Sequence, residues 1–378
     1  MSLEVRRARP RDAAGIRCVF SSVYGGAYVY PEVYDLPTLR RWIAGDEVLV
    51  FVAARPGGEV LGTAMLDLCP DGVGDRVGEF GRLCVRAEAR GRGLGQRLME
   101  IRVEAARPRL LLGYSETRAA APASTAVGLR YGFRPAGFLP SKDRFAVRES
   151  SILMVRLFGE TPEQRRPAPR LIPEVVPVAR EALGALGLPD DLRAVEPPPP
   201  PPVDRAVTVE AVPDRAPGGS ELLEARRGGR AAGRLAWCWS RRHRHGLLRE
   251  LRAEDPAARH ALLEAMVERA GRRGALYLEA DVDASDPAVQ RTLAGLGFVA
   301  GGYLPAAAPG PEGRIDLVRM IRVDPSADLG PLALHPAARR MAELVAGPAL
   351  PRAREASGPV VGPDTGQERR VIGSVSSR

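Results

Sequence analysis

The stretch that decides the fold is Leu83-Cys84-Val85-Arg86-Ala87-Glu88-Ala89-Arg90-Gly91-Arg92-Gly93-Leu94-Gly95-Gln96. It begins in a predicted strand (78–85) and leads into a predicted helix whose apolar residues Leu94, Leu98, Ile101 and Ala105 share one face. A glycine loop between strand and helix points several backbone N–H groups at one place, where the helix dipole favours negative charge. Glycines also let the backbone approach a phosphate where a β-carbon would collide. The stretch therefore predicts a diphosphate site.

Two other kinds of phosphate loop are excluded by their residues. A P-loop needs Gly-Lys followed by Ser or Thr, and this stretch has no such run. A dinucleotide loop needs a third glycine or alanine at position 96, where Gln96 stands, and it usually follows the first strand of a parallel sheet. Here the loop lies in mid-domain, after several predicted antiparallel strands. Taken alone, a Gly-x-Gly loop is also typical of an ordinary tight turn.

The surroundings of the loop resemble one known family over nearly all of residues 3–157. The run 83–95 is similar to the signature of the GNAT superfamily of N-acyltransferases, an Arg/Gln-x-x-Gly-x-Gly/Ala loop. Residues 5–13 resemble the first strand and turn of that family, and residues 48–66 resemble its second and third strands. Gly132-Phe133 resembles its final helix-to-strand junction.

The resemblance implies an α/β fold of the α+β type, with a mixed, mostly antiparallel sheet that is flanked by helices and splayed between its fourth and fifth strands. Acetyl-CoA or another acyl-CoA would enter the splay as co-substrate, and no metal is implied. Pantetheine would pair with the backbone of residues 83–85, and the diphosphate would lie on residues 91–96. The implied binding residues are Leu83, Cys84, Val85, Arg90, Gly91, Arg92, Gly93, Leu94, Gly95 and Gln96. An acceptor amine would attack the thioester directly.

Proton transfer needs a base and an acid. Many members of the family carry a carboxylate base on the strand that flanks the splay, where this chain has Glu79; a solvated glutamate at a strand start is the alternative. The tyrosine that many members use as the acid is replaced here by Gly128. Tyr114 or Ser115, at the end of the fifth strand, could protonate the leaving thiolate, or could simply pack or cap. Cys84 has no visible base beside it and is interpreted as structural.

The chain also contains an apparent repeat. Residues 132–140 (GFRPAGFLP) and 297–305 (GFVAGGYLP) have Gly-Phe and Leu-Pro at the same spacing, and an apolar strand follows each. A helix-like segment and an apolar strand precede each Gly-Phe. This order of elements predicts an internal duplication into two GNAT-like lobes, lobe one (1–160) and lobe two (203–347).

A connector (161–202) separates the two lobes. It contains one predicted amphipathic helix, with apolar residues at Val175, Val178, Ala179, Ala182 and Leu183. Six prolines, 197–202, then predict a stiff extended linker. Residues 348–378 are rich in Pro, Gly, Ser and Arg without periodicity, which predicts a disordered tail.

Lobe two is predicted to be a degenerate copy that does not bind CoA. Glu254 and Asp255 stand where the glycine loop should be, and they would repel a phosphate. Glu279 and Asp281, alternate residues of a strand, could present carboxylates to a cationic acceptor, although a solvated strand edge is favoured. The run 241–245 (RRHRH) could contact an anion, although a solvated loop is favoured. Lobe one has no histidine, so a histidine base would have to come from lobe two.

The charge composition of the chain limits the classes of partner that it could bind. The formal charge is +9, and Lys142 is the only lysine, so the positive charge is almost all arginine. Such a chain could attract CoA phosphates, an acidic carrier protein or nucleic acid, but no base-stacking motif accompanies the arginines and nucleic acid is disfavoured.

No run of eighteen apolar residues predicts a membrane span, and no apolar core follows the first arginines, so a cytoplasmic location is expected. The four scattered cysteines (Cys18, Cys69, Cys84, Cys238) predict neither a disulfide framework nor a zinc site.

The leading hypothesis is an enzyme that moves an acetyl or other short acyl group from acyl-CoA to an amine of a small molecule or a protein. Two alternatives remain at this point. The replaced tyrosine at Gly128 and the lack of histidine in lobe one are compatible with a non-catalytic acyl-CoA-binding or scaffold protein. The arginine-rich composition is compatible with an acyltransferase whose donor is an acyl carrier protein. Acceptor pockets in this fold come from variable loops, which points here to the segment 24–34 with its four tyrosines; a packed hydrophobic entry segment is the equal alternative.

Overall fold

The computed structural model describes residues 3–68, 75–202, 204, 206–212 and 220–347. Its helices are α1 (Ala13–Tyr24), α2 (Leu36–Ala44), α3 (Leu94–Ala106), α4 (Pro122–Arg130), α5 (Thr161–Gln164), α6 (Val176–Leu186), α7 (Pro256–Arg272), α8 (Pro287–Gly295) and α9 (Pro336–Ala346). Its strands are β1 (Glu4–Arg7), β2 (Val48–Ala54), β3 (Val60–Asp67), β4 (Val77–Val85), β5 (Leu112–Arg118), β6 (Arg134–Arg144), β7 (Arg148–Leu157), β8 (Arg170–Leu171), β9 (Arg193–Ala194), β10 (Val207–Val212), β11 (Ser220–Arg227), β12 (Arg230–Ser240), β13 (His245–Ala253), β14 (Tyr277–Asp283), β15 (Val299–Gly310) and β16 (Gly313–Val323). Short 3-10 turns lie at Pro10–Asp12, Pro31–Tyr34 and Ala87–Ala89.

Fourteen of the described strands form one continuous sheet, and β8 pairs with β9 in a separate ribbon. From one edge the order is β1-β2-β3-β4-β5-β7-β6, and from the opposite edge it is β10-β11-β12-β13-β14-β16-β15. Each series contains one parallel pair, β4 with β5 and β13 with β14. The strands of lobe two thus repeat the order of lobe one. The predicted α/β class, with mixed and mostly antiparallel strands flanked by helices, is confirmed, although the strands form one joined sheet.

Strand β2 illustrates why lobe one has helices on both faces of its sheet. All seven of its residues are buried. Its odd-numbered residues 49–53 belong to the same core as α3, whereas its even-numbered residues 48–52 belong to the core beneath α1 and α2. Successive side chains of a strand point to opposite faces, so a continuous apolar run needs a cover on each face.

The two lobes join where β6 pairs with β15, at Gly137 and Gly302. These two residues occupy the same place in the two copies of the repeat, because each is the sixth residue of its stretch, GFRPAGFLP or GFVAGGYLP, two positions before the Leu-Pro. A β-carbon at Gly137 would lie 2.6 Å from the carbonyl oxygen of Gly301 and 2.8 Å from the Cα of Gly302. The backbones can therefore approach this closely only because both residues lack a side chain.

The repeat extends to the irregularities of the strands. The pairing of β6 with β7 shifts between Leu139 and Asp143, and the pairing of β15 with β16 shifts between Leu304 and Ala308. Inside each shift lies one residue with positive φ, Ser141 (φ 56) and Ala306 (φ 53). The bulges of β6 and β15 therefore lie at equivalent positions of the repeat. A shared strand order alone does not require this agreement.

The connector packs onto the junction of the two lobes. Helix α6 contacts β6 and β15, and it buries the five predicted apolar residues 175, 178, 179, 182 and 183. Arg165 holds the connector to lobe two through Asp316, at 2.7 Å, and it also binds Asp191 within the connector at 2.9 Å. The prolines 197–202 have no regular structure, and the Pro201 carbonyl lies 2.7 Å from His260 Nδ1. The predicted disordered tail, 348–378, lies outside the described residues.

Candidate active site

Strands β4 and β5 separate after a short parallel ladder. Their register runs from Val77 opposite Leu112 to Glu79 opposite Tyr114 and then stops. Beyond that point β4 stays paired with β3, while β5 stays paired with β7. Residues 80–85 therefore form one wall of an open splay, as the resemblance implies. Leu83 and Val85 are half-buried and Cys84 is buried, and burial raises the pKa of the Cys84 thiol to about 12.

A bulge in β4 shapes this wall. The register against β3 shifts beside Gly81, and the next residue, Arg82, has φ 56. The fully buried guanidinium of Arg102, on α3, braces the bulge: its Nη1 donates to the carbonyls of Met65 and Gly81, at 3.1 Å each. Burial lowers the pKa of Arg102 to about 9. Arg102 thus ties α3, β3 and β4 together at the point where the splay opens.

The glycine loop has the geometry of an anion site. Gly91 and Gly93 have φ 74 and φ 72, a region that side chains disfavour, and a β-carbon at Gly91, Gly93 or Gly95 would meet no atom within 4 Å. Gly93 is the N-cap of α3 and provides no side-chain cap. The first turn of a helix leaves N–H groups without helical partners, so this end is open to a ligand. Leu94 is buried, Gln96 is half-buried and Arg92 is exposed. Arg90 is exposed, and its Nε donates to the Val85 carbonyl at 3.2 Å, which joins the loop to the end of β4.

A cavity of about 590 Å³ lies between the lobes and reaches the splay from the far side of β4. Strand β5 and strand β14 both line it. Four strands separate these two in the sheet, so in a flat sheet they would lie about 24 Å apart. Instead, one ammonium, Lys142 Nζ, contacts Glu116 of β5 at 2.6 Å and Glu279 of β14 at 3.0 Å. The sheet is therefore strongly curled, and the cavity occupies the inside of the curl.

Glu79 lies on the cavity wall beside the splay. Its side chain folds back over Gly81, where a β-carbon would lie 2.6 Å from Glu79 Oε1. Burial raises the pKa of Glu79, the positive charge of Arg82 opposes that rise, and the negative charge of Glu116 adds to it. The contact with Arg82 is loose, with 3.6 Å between Nη1 and Oε2. A buried carboxylate with a raised pKa can accept a proton near neutral pH.

Arg82 is held in the cavity wall by aromatic rings. Its guanidinium lies 4.4 Å from the ring centre of Tyr30 and 5.5 Å from that of Trp42. Tyr30 belongs to the segment 24–34, which the sequence suggests as an acceptor loop. Most of that segment packs, because Tyr28 lies in an aromatic cluster with Phe20, but Tyr30 and Glu32 reach the cavity.

The two candidate acids point to different sides of β5. Tyr114 lines the cavity together with Glu116, two positions later. Ser115 is buried, and its hydroxyl donates to the Phe80 carbonyl at 2.8 Å, across the mouth of the splay. Gly128, where the family often has a tyrosine, lies buried in α4 with Met154 3.5 Å from a β-carbon built on it. Of the predicted proton carriers, the cavity therefore brings together Glu79 and Tyr114.

A cluster of charged side chains joins the lobes at the base of the cavity. Arg319 of β16 contacts Glu116 of lobe one at 2.9 Å and Asp281 of lobe two at 2.8 Å. Burial would raise the pKa of Glu279, but Arg319 and Lys142 outweigh it and lower that pKa to about 2. The solvated strand edge favoured for Glu279 and Asp281 is wrong for Glu279, which is buried. Asp281 is exposed and paired with Arg319, and both carboxylates line the cavity.

Lobe two also supplies two histidines. His243 Nδ1 accepts from the Arg144 backbone N–H at 3.1 Å, so its Nε2 carries the hydrogen and donates to the Val29 carbonyl, also at 3.1 Å. His245 stacks on His243 with 5.1 Å between ring centres. Burial lowers the pKa of both, that of His245 to about 3. The solvated loop favoured for 241–245 is thus wrong for its histidines, which form part of the cavity wall.

The cavity residues that the sequence did not reveal have one property in common. Arg82, Lys142 and Arg319 contact residues far away in the chain, and no local motif marks them or Asp143. One signal was available for Lys142, because it is the only lysine in a chain of 55 cationic residues. An isolated lysine among arginines indicates a position where a compact ammonium is needed rather than a planar guanidinium.

A sheet splayed at its one parallel pair in lobe one, with an uncapped glycine loop beside the splay and a cavity behind it, defines an α/β protein of the N-acyltransferase fold class. Residues 20–133 match the family model described as the acetyltransferase (GNAT) family, and the chain therefore carries a GNAT acetyltransferase domain. For this domain, the family implies acyl transfer from acetyl-CoA, and GNAT acetyltransferases act on amine acceptors. The match begins in α1 and ends at Phe133, so it does not extend to lobe two.

Several solved structures are similar to the chain. An N-acetyltransferase from Staphylococcus aureus Mu50 is 18% identical, with 42% of this chain and 99% of that chain covered and a TM-score of 0.37. A GCN5-related N-acetyltransferase from Kribbella flavida is 25% identical, with 41% and 98% covered and a TM-score of 0.37. A putative acetyltransferase from Salmonella typhimurium, solved with acetyl-CoA, is 20% identical, with 42% and 96% covered and a TM-score of 0.38. No curated protein matches the chain.

The described residues contain no group of three or more His, Cys, Asp or Glu side chains that could hold a metal ion. No helix in the described ranges is both long and apolar enough to cross a membrane.

Proposed function

We propose that the chain is an acyl-CoA-dependent N-acyltransferase that moves an acetyl or other short acyl group to an amine by direct attack. The observation that carries the proposal is the open N-terminus of α3, with its two left-handed glycines, beside the splay of β4 and β5. The donor would use the backbone of Leu83, Cys84 and Val85 and the N–H groups of residues 91–96, with Arg90 and Arg92 close by.

The loop fits the diphosphate of acyl-CoA in charge and in space. The N–H groups of the first helical turn carry partial positive charge, and the helix dipole strengthens it. No side chain caps Gly93, and the space around the three glycines is open. A helix start with these properties is a place where a diphosphate can replace water at several donors at once.

The chemistry requires two proton movements. The amine nitrogen attacks the thioester carbonyl carbon, and the C–S bond breaks as the thiolate leaves. An acceptor that arrives as an ammonium loses one proton before attack and a second as the amide forms. Glu79, half-buried and with a raised pKa, is the proposed base. One proton returns to the CoA thiolate, for which Tyr114 is the proposed acid, and the other is released to solvent.

Two observations bear on the rest of the site. The Ser115 hydroxyl is already engaged with the Phe80 carbonyl, which favours Tyr114 over Ser115 as the acid. The raised pKa of Cys84 disfavours a thiolate nucleophile, so direct transfer is preferred to an acyl-enzyme. Lobe two would serve as the far wall of the acceptor cavity rather than as a second donor site.

The test is calorimetric titration of acetyl-CoA into the full chain and into the Gly95→Glu variant. Gly95 lies in the first turn of α3, and a glutamate there favours the helix, so the variant should fold at least as well as the parent. Its carboxylate would occupy the place of the diphosphate and repel it. The affinity for acetyl-CoA should fall about 100-fold or more, because several charge-assisted hydrogen bonds are lost.

The matched control is Ala257→Glu, which introduces the same side chain in the first turn of α7 of lobe two. This variant should bind acetyl-CoA like the parent. Failure of the parent to bind acetyl-CoA or longer acyl-CoAs would sink the proposal and favour a carrier-protein donor or a scaffold role. Equal loss in both variants would assign the donor site to neither loop.

A further inference from the structure

The cavity between the lobes is acidic, although the chain is basic. Among the described residues that line it there are eight carboxylates and five cationic side chains, so its wall has a net charge of −3 with both histidines neutral. The whole chain has a formal charge of +9. A low-dielectric cavity concentrates the field of its lining charges, so this wall attracts cations and repels anions.

No lysine or arginine among the described residues of the wall lies within ion-pair distance of Asp143, which lines the same cavity. Lys142 and Arg319 are shared among Glu116, Glu279 and Asp281. Asp143, next along β6, accepts no hydrogen bond from any group that the structure describes. Its nearest basic atom is His243 Nδ1 at 3.8 Å, and that nitrogen already accepts from the Arg144 backbone, so it has no hydrogen to offer. A carboxylate in this position can be satisfied by a donor from outside the protein.

His245 provides a second, independent sign of a missing donor. Its Nδ1 atom is buried, and the residue lines the same cavity. Nδ1 has no hydrogen-bond partner among the described residues, while the ring bonds to the Lys142 backbone. The bonded nitrogen is therefore Nε2, which carries the hydrogen, and Nδ1 has a free lone pair. The lone pair of a neutral imidazole and an unpaired carboxylate are complementary to an N–H cation.

We infer that the acceptor is a small diamine or polyamine, whose reacting nitrogen lies by Glu79 and whose distal ammonium is bound by Asp143 and His245 of the interlobe cavity. The inference rests on the proposed function, since it names the acceptor of that same site. The distal ammonium takes no part in the chemistry. It contributes binding and orientation, which hold the reacting amine against the thioester. Lobe two, without a donor loop of its own, would thus determine the choice of acceptor.

Three amines of equal chain length test the inference. Butylamine, diaminobutane and aminobutanoate each contain four carbon atoms and end, away from the reacting amine, in a methyl, an ammonium or a carboxylate. With acetyl-CoA as donor, kcat/KM for diaminobutane should exceed that for butylamine by about 10- to 100-fold, the effect of one charge-assisted hydrogen-bonded contact. Aminobutanoate should be the poorest of the three. Equal rates for butylamine and diaminobutane would overturn the inference, and so would a preference for aminobutanoate, which would point to Arg82 as an anion site.

Variants test the assigned residues through the ratio of kcat/KM for diaminobutane to that for butylamine. Asp143→Asn keeps the shape of the side chain but removes its charge, and His245→Phe keeps a ring but removes the lone pair. Each should lower the ratio about 10-fold. Asp46→Asn removes the same charge from a fully exposed site in lobe one and should leave the ratio unchanged. A parental ratio in both cavity variants would refute the assignment.

Direct binding separates this inference from the proposed function. Diaminobutane and butylamine are titrated by calorimetry into the chain saturated with CoA, or into the chain alone if CoA does not bind. Acetyl-CoA binding together with indifference to the distal ammonium would leave the proposed function standing and refute this inference. Absence of acetyl-CoA binding together with selective binding of diaminobutane would refute the proposed function and leave the ammonium site standing.

Discussion

Lobe one and lobe two have the same strand order, but the equivalent helix begins in opposite ways in the two lobes. The helix after the fourth strand begins at Gly93 in lobe one, with no side-chain cap. Its counterpart in lobe two begins at Asp255, whose carboxylate accepts from the N–H groups of Ala257 and Ala258 at 2.9 Å each. The helix of lobe one leaves its donors open to a ligand, whereas that of lobe two satisfies them internally. The same fold can therefore bind a diphosphate or exclude it according to a few cap residues.

A second difference lies on the acceptor side. Helices α1 and α2 stand between the first two strands of lobe one, whereas only residues 213–219 separate β10 from β11 in lobe two. In the parallel pair of lobe one, Glu79 lies opposite Tyr114, and in the parallel pair of lobe two, Leu247 lies opposite Glu279. Glu79 and Leu247 therefore occupy equivalent positions. Lobe two thus has an apolar residue where lobe one has its candidate base. What lobe two provides instead is a set of polar side chains that line the cavity of lobe one.

The largest effect is expected from Glu79→Gln. The change keeps the size of the side chain but removes the proposed base, so kcat should fall about 100- to 1,000-fold. Acetyl-CoA affinity should not change, because the donor loop is untouched. Steady-state kinetics with a calorimetric titration measure the two separately. A kcat above half of the parental value would mean that the difference between Glu79 and Leu247 does not affect catalysis.

The second effect concerns Asp143, whose position in lobe two is held by Ala308. Burial, with Glu116 and Glu279 nearby, raises the pKa of Asp143 to about 7 from 3.8, although Lys142 opposes the rise. The folded state then holds a proton that the unfolded state has lost, so stability falls as pH rises through that window. Asp143→Asn should be more stable than the parent at about pH 8, by on the order of a few kcal/mol, and the difference should vanish below about pH 4. Urea denaturation over a pH series measures this, and a difference that grows as pH falls would contradict the sign.

The third effect compares the two glycines at the lobe junction. A β-carbon at Gly137 would meet backbone atoms at 2.6 and 2.8 Å, which cannot move independently. A β-carbon at Gly302 would first meet the end of the Leu153 side chain, at 3.0 Å, which can adjust. Gly137→Ala should therefore cost about 1–3 kcal/mol of unfolding free energy, and Gly302→Ala less. Thermal or urea unfolding of both variants decides the order, and equal costs would mean that the junction relaxes on both sides.

Local sequence patterns predicted the parts of the fold that depend on short-range chemistry. The glycine loop, the amphipathic helix of the connector and the repeat at Gly132 and Gly297 all depend on residues near one another in the chain, where spacing and backbone preference decide. The splay followed from the resemblance and is present between β4 and β5. The roles assigned to Glu79 and Tyr114 remain proposals.

The interlobe cavity could not be predicted in the same way, because it depends on how the sheets of the two lobes curl toward each other. Lys142 contacts Glu279 across 137 positions of chain, and His243 reaches the carbonyl of Val29 across 214. Glu279 and His243 therefore had the appearance of surface residues. Their burial follows from the junction at Gly137 and Gly302, and no periodicity in the sequence encodes that pairing.

The smallest effect, and the one that tests the contrast between helix starts, is expected from Asp255→Ala. The change removes two cap hydrogen bonds and an ion pair with Arg227 at 2.5 Å, and it should cost about 0.5–2 kcal/mol of unfolding free energy. Asp255→Asn, which can still cap, should lose less. Neither variant should change the affinity or the stoichiometry of acetyl-CoA in calorimetry, because lobe two lacks the glycines that let a phosphate approach. A second binding site in Asp255→Ala would mean that the cap alone masks a donor loop, and that the two lobes differ by one side chain rather than by the path of the backbone.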